Sequence, residues 1–426
     1  MTAADGPRVA VVGAGVVGTC TAWFLRERGL QVTVLERRDD VARETSLGNA
    51  GVIAPGYVTP WAAPGMPRKV LSYLFAAEAP VLFRPVPSLA LARWLLHWLR
   101  ECDLARYRIN KTRMQRLAFY SRGQLHALRA RLGIDDRRRP GYLQLLRGPR
   151  DLELVAPARA LLQENGVPHR MLEADEVRAL EPGLSMNTPL AGGLHLPEDE
   201  SASCADFVRA LARHARAAGV RFEFGHRVVH VRVEGGAVCG LVVDGPDGVR
   251  TAPAFDAVVV AGAVDSLPLL AAHGVRLPIW PVKGYSTTLP VTDRVLGPRQ
   301  AMIDEAYKVA ITPLDGTIRL AGTAELGSPR LVPRAAALRT LVRVGRDWFP
   351  ELADWSRADC WVGARPMTPD GPALLGRTPV RGLHLNMGHG STGWAMAAGA
   401  GRIVADLVAG RMPEIDLDGL TIDRLR

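Results

Sequence analysis

The sequence predicts an α/β fold of two interleaved domains, one of which is built on a parallel sheet. The segments RVAVVGAG, VVGTCTAWFLRERG and QVTVLE have the patterns of a buried strand, an amphipathic helix and a second strand, which is typical of a right-handed βαβ unit. Residues 221–263 alternate strand patterns with Gly-Gly and Asp-Gly turns, as expected of a small antiparallel meander. Much later, GLHLNMGHGSTGWAMAAGAGRIVADLVAG has the pattern of strand, turn and helix. Because this late segment could rejoin the first sheet, we expect interleaved domains rather than domains in series.

The remaining elements follow in order between these segments. Residues 40–67 form a long loop rich in Gly, Pro and Ala, and roughly 68–133 form a basic helical region. GYLQLLR predicts a strand, the stretch after Arg150 a helix, and ADEVRALEP a short helix that Pro182 stops. AGGLHLPEDES predicts a strand and CADFVRALARHARAAG a helix. Further strands are expected through 279–325, and a helix over about 333–347.

The composition is that of a globular protein. The 426 residues are 48% hydrophobic and 23% charged, which disfavours disorder and coiled coil. The net charge of +10 comes almost wholly from arginine, because only four lysines occur. An excess of Ala, Arg and Gly can reflect genome composition, so the charge is weak evidence for a polyanionic partner. We expect no nucleic acid partner.

The five cysteines are far apart, with no CxxC pair and no His at metal-ligand spacing. We therefore expect no metal site, no disulfide framework and a reducing compartment. MTAADGPR lacks the basic start of a secretory signal, and no apolar run reaches the about 18–20 residues of a spanning helix. The expected location is the cytoplasm, with peripheral contact at the inner face of the cell membrane as the other possibility.

The first chemical motif is the GxGxxG of Gly13, Gly15 and Gly18, placed between a strand and a helix. These glycines allow a tight turn, close approach of a pyrophosphate and close helix packing, while the helix start offers free N–H groups. Glu36 ends the second strand, eighteen residues past Gly18, where an acid accepts hydrogen bonds from a ribose and disfavours NADP. The motif therefore predicts a dinucleotide site. Neighbouring candidates for cofactor contact are Val16, Val17 and Arg37.

A second GxGxxG, with Gly388, Gly390 and Gly393, lies in MGHGSTG between the late strand and helix. No strand pattern follows to complete a second dinucleotide unit, so we expect this helix start to face part of the first cofactor. A reduced flavin gains negative charge, which a helix N-terminus stabilises. This favours FAD over NAD; a purely structural glycine turn is the alternative. The other candidates in this turn are His389, Ser391 and Thr392.

Several further motifs occur in a recognisable order. The βαβ unit, ETSLGNAGVIAPGYVTPWAAPG, PVKGYS, DEAYKVAIT, GARPMTPDG and NMGHGSTGW together resemble the FAD-dependent D-amino-acid oxidase superfamily and, within it, the small-subunit type of bacterial D-amino acid dehydrogenases. The resemblance covers nearly the whole chain. It implies a discontinuous Rossmann-like FAD-binding domain (residues 1–60, 195–268 and 360–426) and an α+β substrate-binding domain with an antiparallel sheet (61–194 and 269–359).

The resemblance also implies further cofactor contacts. Ser46, Asn49, Ala50 and Gly51 would belong to the loop around the flavin and its pyrophosphate. Val228 would meet the adenine, and Ala261 and Gly262 would line the dinucleotide path. Related sarcosine oxidases hold their flavin covalently through a cysteine, but none occurs between Trp361 and Asp370. We expect non-covalent FAD.

Arg365, in WVGARPMTPDG, is the main substrate-binding candidate. Two prolines exclude a helix here, so the arginine lies in an extended or turning segment. The resemblance implies that it binds the substrate carboxylate, a role that suits a planar guanidinium; a structural salt bridge is the alternative. His389 is a candidate for positioning at the flavin and, less readily, for proton transfer.

Four other residues are candidates around this site. Tyr285 and Tyr307 alternate with apolar residues on predicted strands, so their hydroxyls could assist Arg365, or each could be bonded in the core. Tyr57 and Trp61, in the Pro-rich loop, are candidates for a lid. Lys283 could lie at the flavin edge or in solvent.

Residues 93–116 have a different character, since seven basic and two acidic residues accompany Trp94 and Trp98. This pattern favours either docking to an anionic membrane surface or core packing of the tryptophans with arginines in solvent. Docking would let electrons pass to a membrane quinone or its carrier.

The expected function is oxidative deamination of free D-amino acids to 2-oxo acids and ammonia, with hydride transfer to FAD and a non-oxygen acceptor. D-chirality and dehydrogenase activity come only from the resemblance. The alternatives are a D-hydroxyproline dehydrogenase, a glycine or sarcosine type of amine oxidase, and a flavin-binding membrane adaptor without turnover.

Overall fold

The computed structural model describes residues 6–73, 80–84, 86–252, 254–293 and 295–425. The strands are β1 (Arg8–Val12), β2 (Gln31–Glu36), β3 (Val52–Ile53), β4 (Val81–Arg84), β5 (Arg139–Leu146), β6 (Arg170–Leu172), β7 (Gly192–Ser201), β8 (Arg221–Phe224), β9 (Arg227–Glu234), β10 (Ala237–Gly245), β11 (Gly248–Thr251), β12 (Ala257–Val260), β13 (Trp280–Pro290), β14 (Ala301–Asp304), β15 (Val309–Pro313), β16 (Thr317–Gly327), β17 (Trp361–Met367), β18 (Leu374–Arg377) and β19 (Leu383–Met387). The α-helices are α1 (Val16–Glu27), α2 (Met66–Tyr73), α3 (Leu89–Glu101), α4 (Leu104–Leu132), α5 (Pro149–Glu164), α6 (Ala174–Leu180), α7 (Cys204–Ala217), α8 (Leu267–Ala271), α9 (Ala335–Trp348) and α10 (Gly393–Val408).

The predicted βαβ unit forms the centre of a six-stranded sheet with the order β18-β19-β12-β1-β2-β8. β1 pairs in parallel with β2 on one side and β12 on the other. β19 joins β12 in parallel, and β18 is the antiparallel edge. The late strand, turn and helix therefore rejoin the first sheet, as predicted.

Side chains of β1 alternate between two hydrophobic clusters, as the period of two requires. Val9 and Val11 pack with α1, α7 and α10 on one face. Ala10 and Val12 pack on the other face with residues of β9 and β10. Those two strands and β11 form the predicted antiparallel meander. The parallel sheet is thus covered on both faces, which explains its continuous apolar strands.

The second sheet has ten strands. Eight follow the order β17-β13-β16-β15-β14-β5-β7-β3, while β4 pairs with β16 and β6 with β7. Most pairs are antiparallel, and β5–β14 and β4–β16 are parallel. The domain boundaries stay a prediction. The predicted boundaries assign β3, the last seven residues of β7 and β17 to the FAD-binding domain, but all three belong to this second sheet.

The basic region from residue 93 to 116 consists of two helices rather than one. α3 ends at Glu101, and the side chain of Asp103 caps α4 by accepting hydrogen bonds from the amides of Ala105 and Arg106. Trp94 and Trp98 are only 4% and 8% exposed. They pack in a cluster with strands β13, β16 and β17, so the core-packing interpretation of both tryptophans is confirmed. Among the described residues, no helix has the length and apolar character needed to cross a membrane.

Helix α10 lies in close contact with α1 and α4 because two of its three glycines lie at these contacts. A Cβ at Gly399 would lie 2.8 Å from the Cα of Ser121 in α4. A Cβ at Gly401 would lie 2.9 Å from the amide nitrogen of Thr21 in α1. Both distances are too short for a Cβ atom to be accommodated, so glycine at these positions sets the spacing of the helices.

We expect Gly401→Ala to lower the free energy of unfolding by about 1–3 kcal/mol, because α1 and α10 must separate. The matched control is Gly123→Ala in α4, where a Cβ meets no atom within 4 Å. That change should stabilise the protein by about 0.5–1 kcal/mol, since alanine is the better helix former. Thermal unfolding followed by circular dichroism compares the two; shifts of the same sign would contradict the packing argument.

Candidate functional site

The first glycine turn, between β1 and α1, leaves no room for side chains. Gly13 has a φ of +101°, and a Cβ at Gly18 would lie 1.9 Å from the carbonyl oxygen of Gly13. The predicted Ser46 lies against this turn, and its hydroxyl accepts a hydrogen bond from the amide of Val16 at 3.0 Å. A Cβ at Gly15 would lie 3.3 Å from the same hydroxyl. Close packing therefore requires glycine at positions 13 and 18, while Val17 lies within the first turn of α1.

Glu36 is oriented toward the same turn at the end of β2. Its carboxylate accepts hydrogen bonds from the amides of Ala14 at 2.7 Å and Arg38 at 2.8 Å. The adjacent Arg37 pairs with Glu44 at 2.7 Å and Asp265 at 2.6 Å, so local carboxylates neutralise its charge. A carboxylate fixed in this way keeps lone pairs free to accept hydrogen bonds from hydroxyl groups.

Three predicted positions from later in the chain surround this turn. The amide of Ala261 donates to the carbonyl of Val12 at 3.0 Å. The Cα of Gly262 is 3.0 Å from the position that a Cβ of Gly13 would take. Val228 is buried in the cluster that contains Val12. The structure thus brings three separated segments together where the sequence predicts one dinucleotide path.

The loop of residues 45–51 has a fixed backbone. The side chain of Asn49 accepts a hydrogen bond from the amide of Gly51 at 2.8 Å, and Gly51 has a φ of +79°. The carbonyl of Ala50 accepts a hydrogen bond from the hydroxyl of Thr312 in β15 at 2.7 Å. The predicted loop residues are therefore ordered by local turns and by the second sheet.

Two residues that the sequence analysis did not identify tie this loop to the second sheet. Arg319 of β16 donates to the carbonyls of Leu47 at 3.0 Å and Asn49 at 2.8 Å. The hydroxyl of Thr45 donates to the carbonyl of Ala364 in β17 at 3.1 Å. No local motif marks either contact, because the partners are about 270 and 320 residues apart. The loop between the sheets is thus one of the contacts that join the two parts of the site.

The second glycine turn lies beside β17. Gly388 and Gly390 have φ values of +76° and +58°, and His389 forms an isolated bridge with Met367. The turn continues as a short 3₁₀ segment over Gly390–Thr392, which includes the predicted Ser391, and α10 then begins at Gly393. The ring of His389 is 3% exposed, and its Nε2 has no hydrogen-bond partner in the described chain. Burial lowers the pKa of His389 to about 4, so the ring is neutral at neutral pH.

Arg365 lies in the extended strand β17, directly opposite Val282 of β13. Its Nη1 donates to the carbonyl of Lys283 at 3.1 Å, and its Cζ lies 5.9 Å from the centre of the Trp61 ring. A Cβ at Gly284 would lie 2.4 Å from the Cζ, so this glycine provides the space for the guanidinium.

The guanidinium of Arg365 has no carboxylate partner among the described residues. Burial lowers its pKa to about 10, which still leaves it charged at neutral pH. Arg365 is half-buried, and holding a cation partly out of water without a counter-ion costs free energy. The group is therefore suited to bind an anionic ligand, for which a planar guanidinium offers two parallel donors.

The structure does not bring Tyr285 or Lys283 beside this guanidinium. Both flank Gly284 on β13 and so point to the opposite face of the sheet. Tyr285 is 1% exposed, and its hydroxyl donates to Glu325 at 2.5 Å. Lys283 is fully buried and pairs with the same Glu325 at 2.5 Å. Tyr285 thus follows the core alternative, and Lys283 lies neither in solvent nor on the face of Arg365.

Tyr307 lies in the turn between β14 and β15, not on a strand as predicted. Its ring lies against the guanidinium groups of Arg147 and Arg343, at 4.9 Å and 5.2 Å from the ring centre. Its amide donates to Asp304 at 3.1 Å. The polar sequence of this turn, DEAYK, favours the turn over a strand.

The Pro-rich loop that carries Tyr57 and Trp61 lies over the second sheet. The ring of Tyr57 is 5.3 Å from that of Tyr142 in β5. The hydroxyl of Thr59 shares a hydrogen bond of 2.9 Å with that of Tyr107 in α4. Together with the contact between Trp61 and Arg365, these bonds place the loop at the edge of the candidate site.

A buried acid lies beneath this loop. Asp199 is 2% exposed and accepts a hydrogen bond from the amide of Gly56 at 3.3 Å. The nearest cation is Arg122, at 3.9 Å. Burial raises the pKa of Asp199 to about 7, because the weak contacts compensate only part of the cost of removing its charge from water.

Comparison with known proteins gives one family. Residues 8–407 match the family model described as FAD dependent oxidoreductase. A D-amino acid dehydrogenase of Rhizorhabdus wittichii is 44% identical over 421 residues, which are 98% of this chain and 100% of that protein. One of Cereibacter sphaeroides is 47% identical over 419 residues, 98% of this chain and 95% of that protein. The crystal structure of glycine oxidase from Geobacillus kaustophilus has a TM-score of 0.73 at 24% identity and covers 98% of both chains, which shows a shared fold.

We expect Asp199→Asn to change how stability depends on pH. Because the pKa of Asp199 is raised in the folded protein, its ionisation weakens the folded state as pH rises from about 4 to about 7. The asparagine variant lacks this loss, so its free energy of unfolding should gain on the wild type by up to about 1.4 kcal/mol per pH unit in that range. Melting temperatures at pH 5, 6 and 7 test this, and a difference independent of pH would contradict it.

Proposed function

The chain belongs to the FAD-dependent oxidoreductase family, and we propose that it catalyses the oxidative deamination of free D-amino acids to 2-oxo acids and ammonia. Relatives named D-amino acid dehydrogenase, 44% and 47% identical over nearly the whole chain, support this substrate class. The choice of the D-enantiomer rests on these relatives and on the sequence motifs.

The unpaired guanidinium of Arg365 is the observation that carries the proposal. The carbonyl of Lys283 and the ring of Trp61 hold it in place, and it lacks a carboxylate partner in the described chain. We assign it to the substrate carboxylate, which would bind as a bidentate pair. Fixing the carboxylate also fixes the direction of the Cα–H bond, and such orientation supplies much of the rate.

The two glycine turns and the loop of residues 45–51 fit FAD as a non-covalent cofactor. The glycine backbones leave room for a pyrophosphate, and Glu36 offers acceptors for ribose hydroxyls. The buried Nε2 of His389 has no hydrogen-bond partner in the described chain, so it is free to bond to a polar atom of the cofactor. When bound, FAD would supply the two-electron acceptor for the hydride of the substrate Cα.

The remaining chemistry needs few protein groups. The substrate ammonium must lose one proton before oxidation, and the imino acid that leaves is hydrolysed by water. His389 is neutral because burial lowers its pKa to about 4, and we assign it to positioning through its backbone and ring. Tyr285 and Tyr307 do not contact Arg365, so we assign neither to the carboxylate.

We propose a quinone or a quinone-linked carrier as the electron acceptor, reached at the inner face of the cell membrane. The outward face of α3 supports this. Leu89 and Leu96 are 67% and 57% exposed. Arg93 and Arg100 are also exposed, and their spacing places them on the same side of the helix as the two leucines. Exposed leucines among arginines fit a bilayer surface that carries anionic lipids. The tryptophans of α3 face the core and do not contribute to this surface.

We expect D-alanine, but not L-alanine, to bleach the flavin absorbance of the purified protein without oxygen. Arg365→Ala should keep its FAD but raise the KM for D-alanine about 100-fold, because the carboxylate loses its charged partner. Arg365→Lys keeps the charge but loses the planar guanidinium, so its KM for D-alanine should lie between those of the wild type and Arg365→Ala. Reduction by glycine or sarcosine with release of hydrogen peroxide would instead indicate an amine oxidase, and no reduction by any amine would indicate a protein without turnover.

Flotation with lipid vesicles tests the membrane contact. We expect the protein to float with vesicles rich in phosphatidylglycerol and not with pure phosphatidylcholine. Leu89→Ser with Leu96→Ser should reduce flotation at least about threefold, since each leucine contributes about 1.5–3 kcal/mol when buried. Leu154→Ser, at a leucine of α5 that is 48% exposed, is the matched control. Equal flotation of the wild type, the double variant and Leu154→Ser would exclude this face of α3 as the membrane contact.

A further inference from the structure

The segment Lys283–Tyr285 of β13 presents two different faces. Gly284 faces the guanidinium of Arg365, and a Cβ there would lie 2.4 Å from its Cζ. Lys283 and Tyr285, on either side, point into the opposite face. The same segment also orients Arg365 through its backbone, because the carbonyl of Lys283 accepts the hydrogen bond from Nη1 at 3.1 Å.

One carboxylate holds both flanking side chains. Glu325 of β16 lies directly opposite Lys283 and pairs with its ammonium group at 2.5 Å. It also accepts the hydroxyl of Tyr285 at 2.5 Å, and Arg334 is 3.6 Å away. Burial alone would raise the pKa of Glu325, but the hydrogen bonds from Lys283 and Tyr285 outweigh it and lower the pKa. Lys283 and Tyr285, which flank the glycine beside Arg365, therefore both bind the same ionised carboxylate.

The strand β16 is irregular at the same place. The pairing with β13 shifts between Gly284 and Tyr285, so that Thr323 is left as an extra residue in β16. Thr323 has a φ of +42°, a left-handed conformation that is strained for a β-branched residue. It is also 2% exposed. A bulge bends the strand and changes the direction of nearby side chains, and this one lies two residues from Glu325.

We propose that Glu325 is a positioning residue for Arg365. By fixing Lys283 and Tyr285 it fixes the Gly284 backbone and the Lys283 carbonyl, and these hold the guanidinium in the direction that receives a carboxylate. A buried ion pair rarely adds net stability compared with apolar residues of the same size. A fixed geometry therefore explains the pair better than stability does. The proposal rests on the assignment of Arg365 to the substrate carboxylate.

The test measures carboxylate binding separately from turnover. Acetate is titrated into the FAD-loaded protein while the flavin spectrum is followed, and KM and kcat are measured with D-alanine. Glu325→Gln keeps the shape but leaves Lys283 without its counter-ion. We expect about tenfold increases in the acetate Kd and in KM, with a change in kcat below about threefold.

A milder variant guards against a folding defect. Tyr285→Phe removes a single hydrogen bond to Glu325, and we expect about threefold increases in the acetate Kd and in KM. The matched control is Asp304→Asn in β14, three strands from β13. Asp304 is also fully buried, pairs with Arg147 at 2.7 Å and accepts the indole N–H of Trp348 at 2.7 Å. Asp304→Asn should lower the melting temperature without changing the acetate Kd.

Two results would overturn the proposal: an unchanged acetate Kd in both Glu325→Gln and Tyr285→Phe, or an equal increase in Asp304→Asn. If the wild type binds acetate but oxidises no D-amino acid, the proposed substrate is wrong, while the positioning role is still decided by the acetate series.

Discussion

The pairing of β13 with β17 is the interaction on which the candidate site depends. Register decides which residue of β13 lies beside each residue of β17, and here it places Val282 opposite Arg365 and Gly284 within reach of the guanidinium. A shift by one residue would turn the arginine into the hydrophobic core behind the sheet. The Trp61 contact and the Lys283 carbonyl can act only once this register is set.

One loop connects the two sheets directly. Residues 45–51 continue from the βαβ unit, yet Arg319 and Thr45 bind them to strands of the second sheet. A motif in the first sheet and an arginine in the second can therefore serve one bound molecule. Precise placement of this kind needs donors fixed on rigid strands.

The sequence predicted those features that local chemistry dictates. The βαβ unit, the meander and the second glycine turn follow from valine-rich strands, positive-φ glycines and helical periodicity, all of which act within a few residues. The face on which Tyr285 lies and the contacts of Arg319 and Glu325 do not follow in this way. They depend on a bulge at Thr323 and on partners in other strands, for which a single sequence contains no local signal. Which of the candidate residues contact the cofactor stays a prediction.

The order of strands in the six-stranded sheet has a consequence for biosynthesis. β1 leaves the ribosome early, but its neighbour β12 begins at Ala257 and the next strand, β19, only at Leu383. Until then, the nascent chain has an open apolar strand edge that invites association with other chains. This strand order therefore keeps one edge of β1 unpaired until Ala257 has been synthesised, well past the middle of the chain.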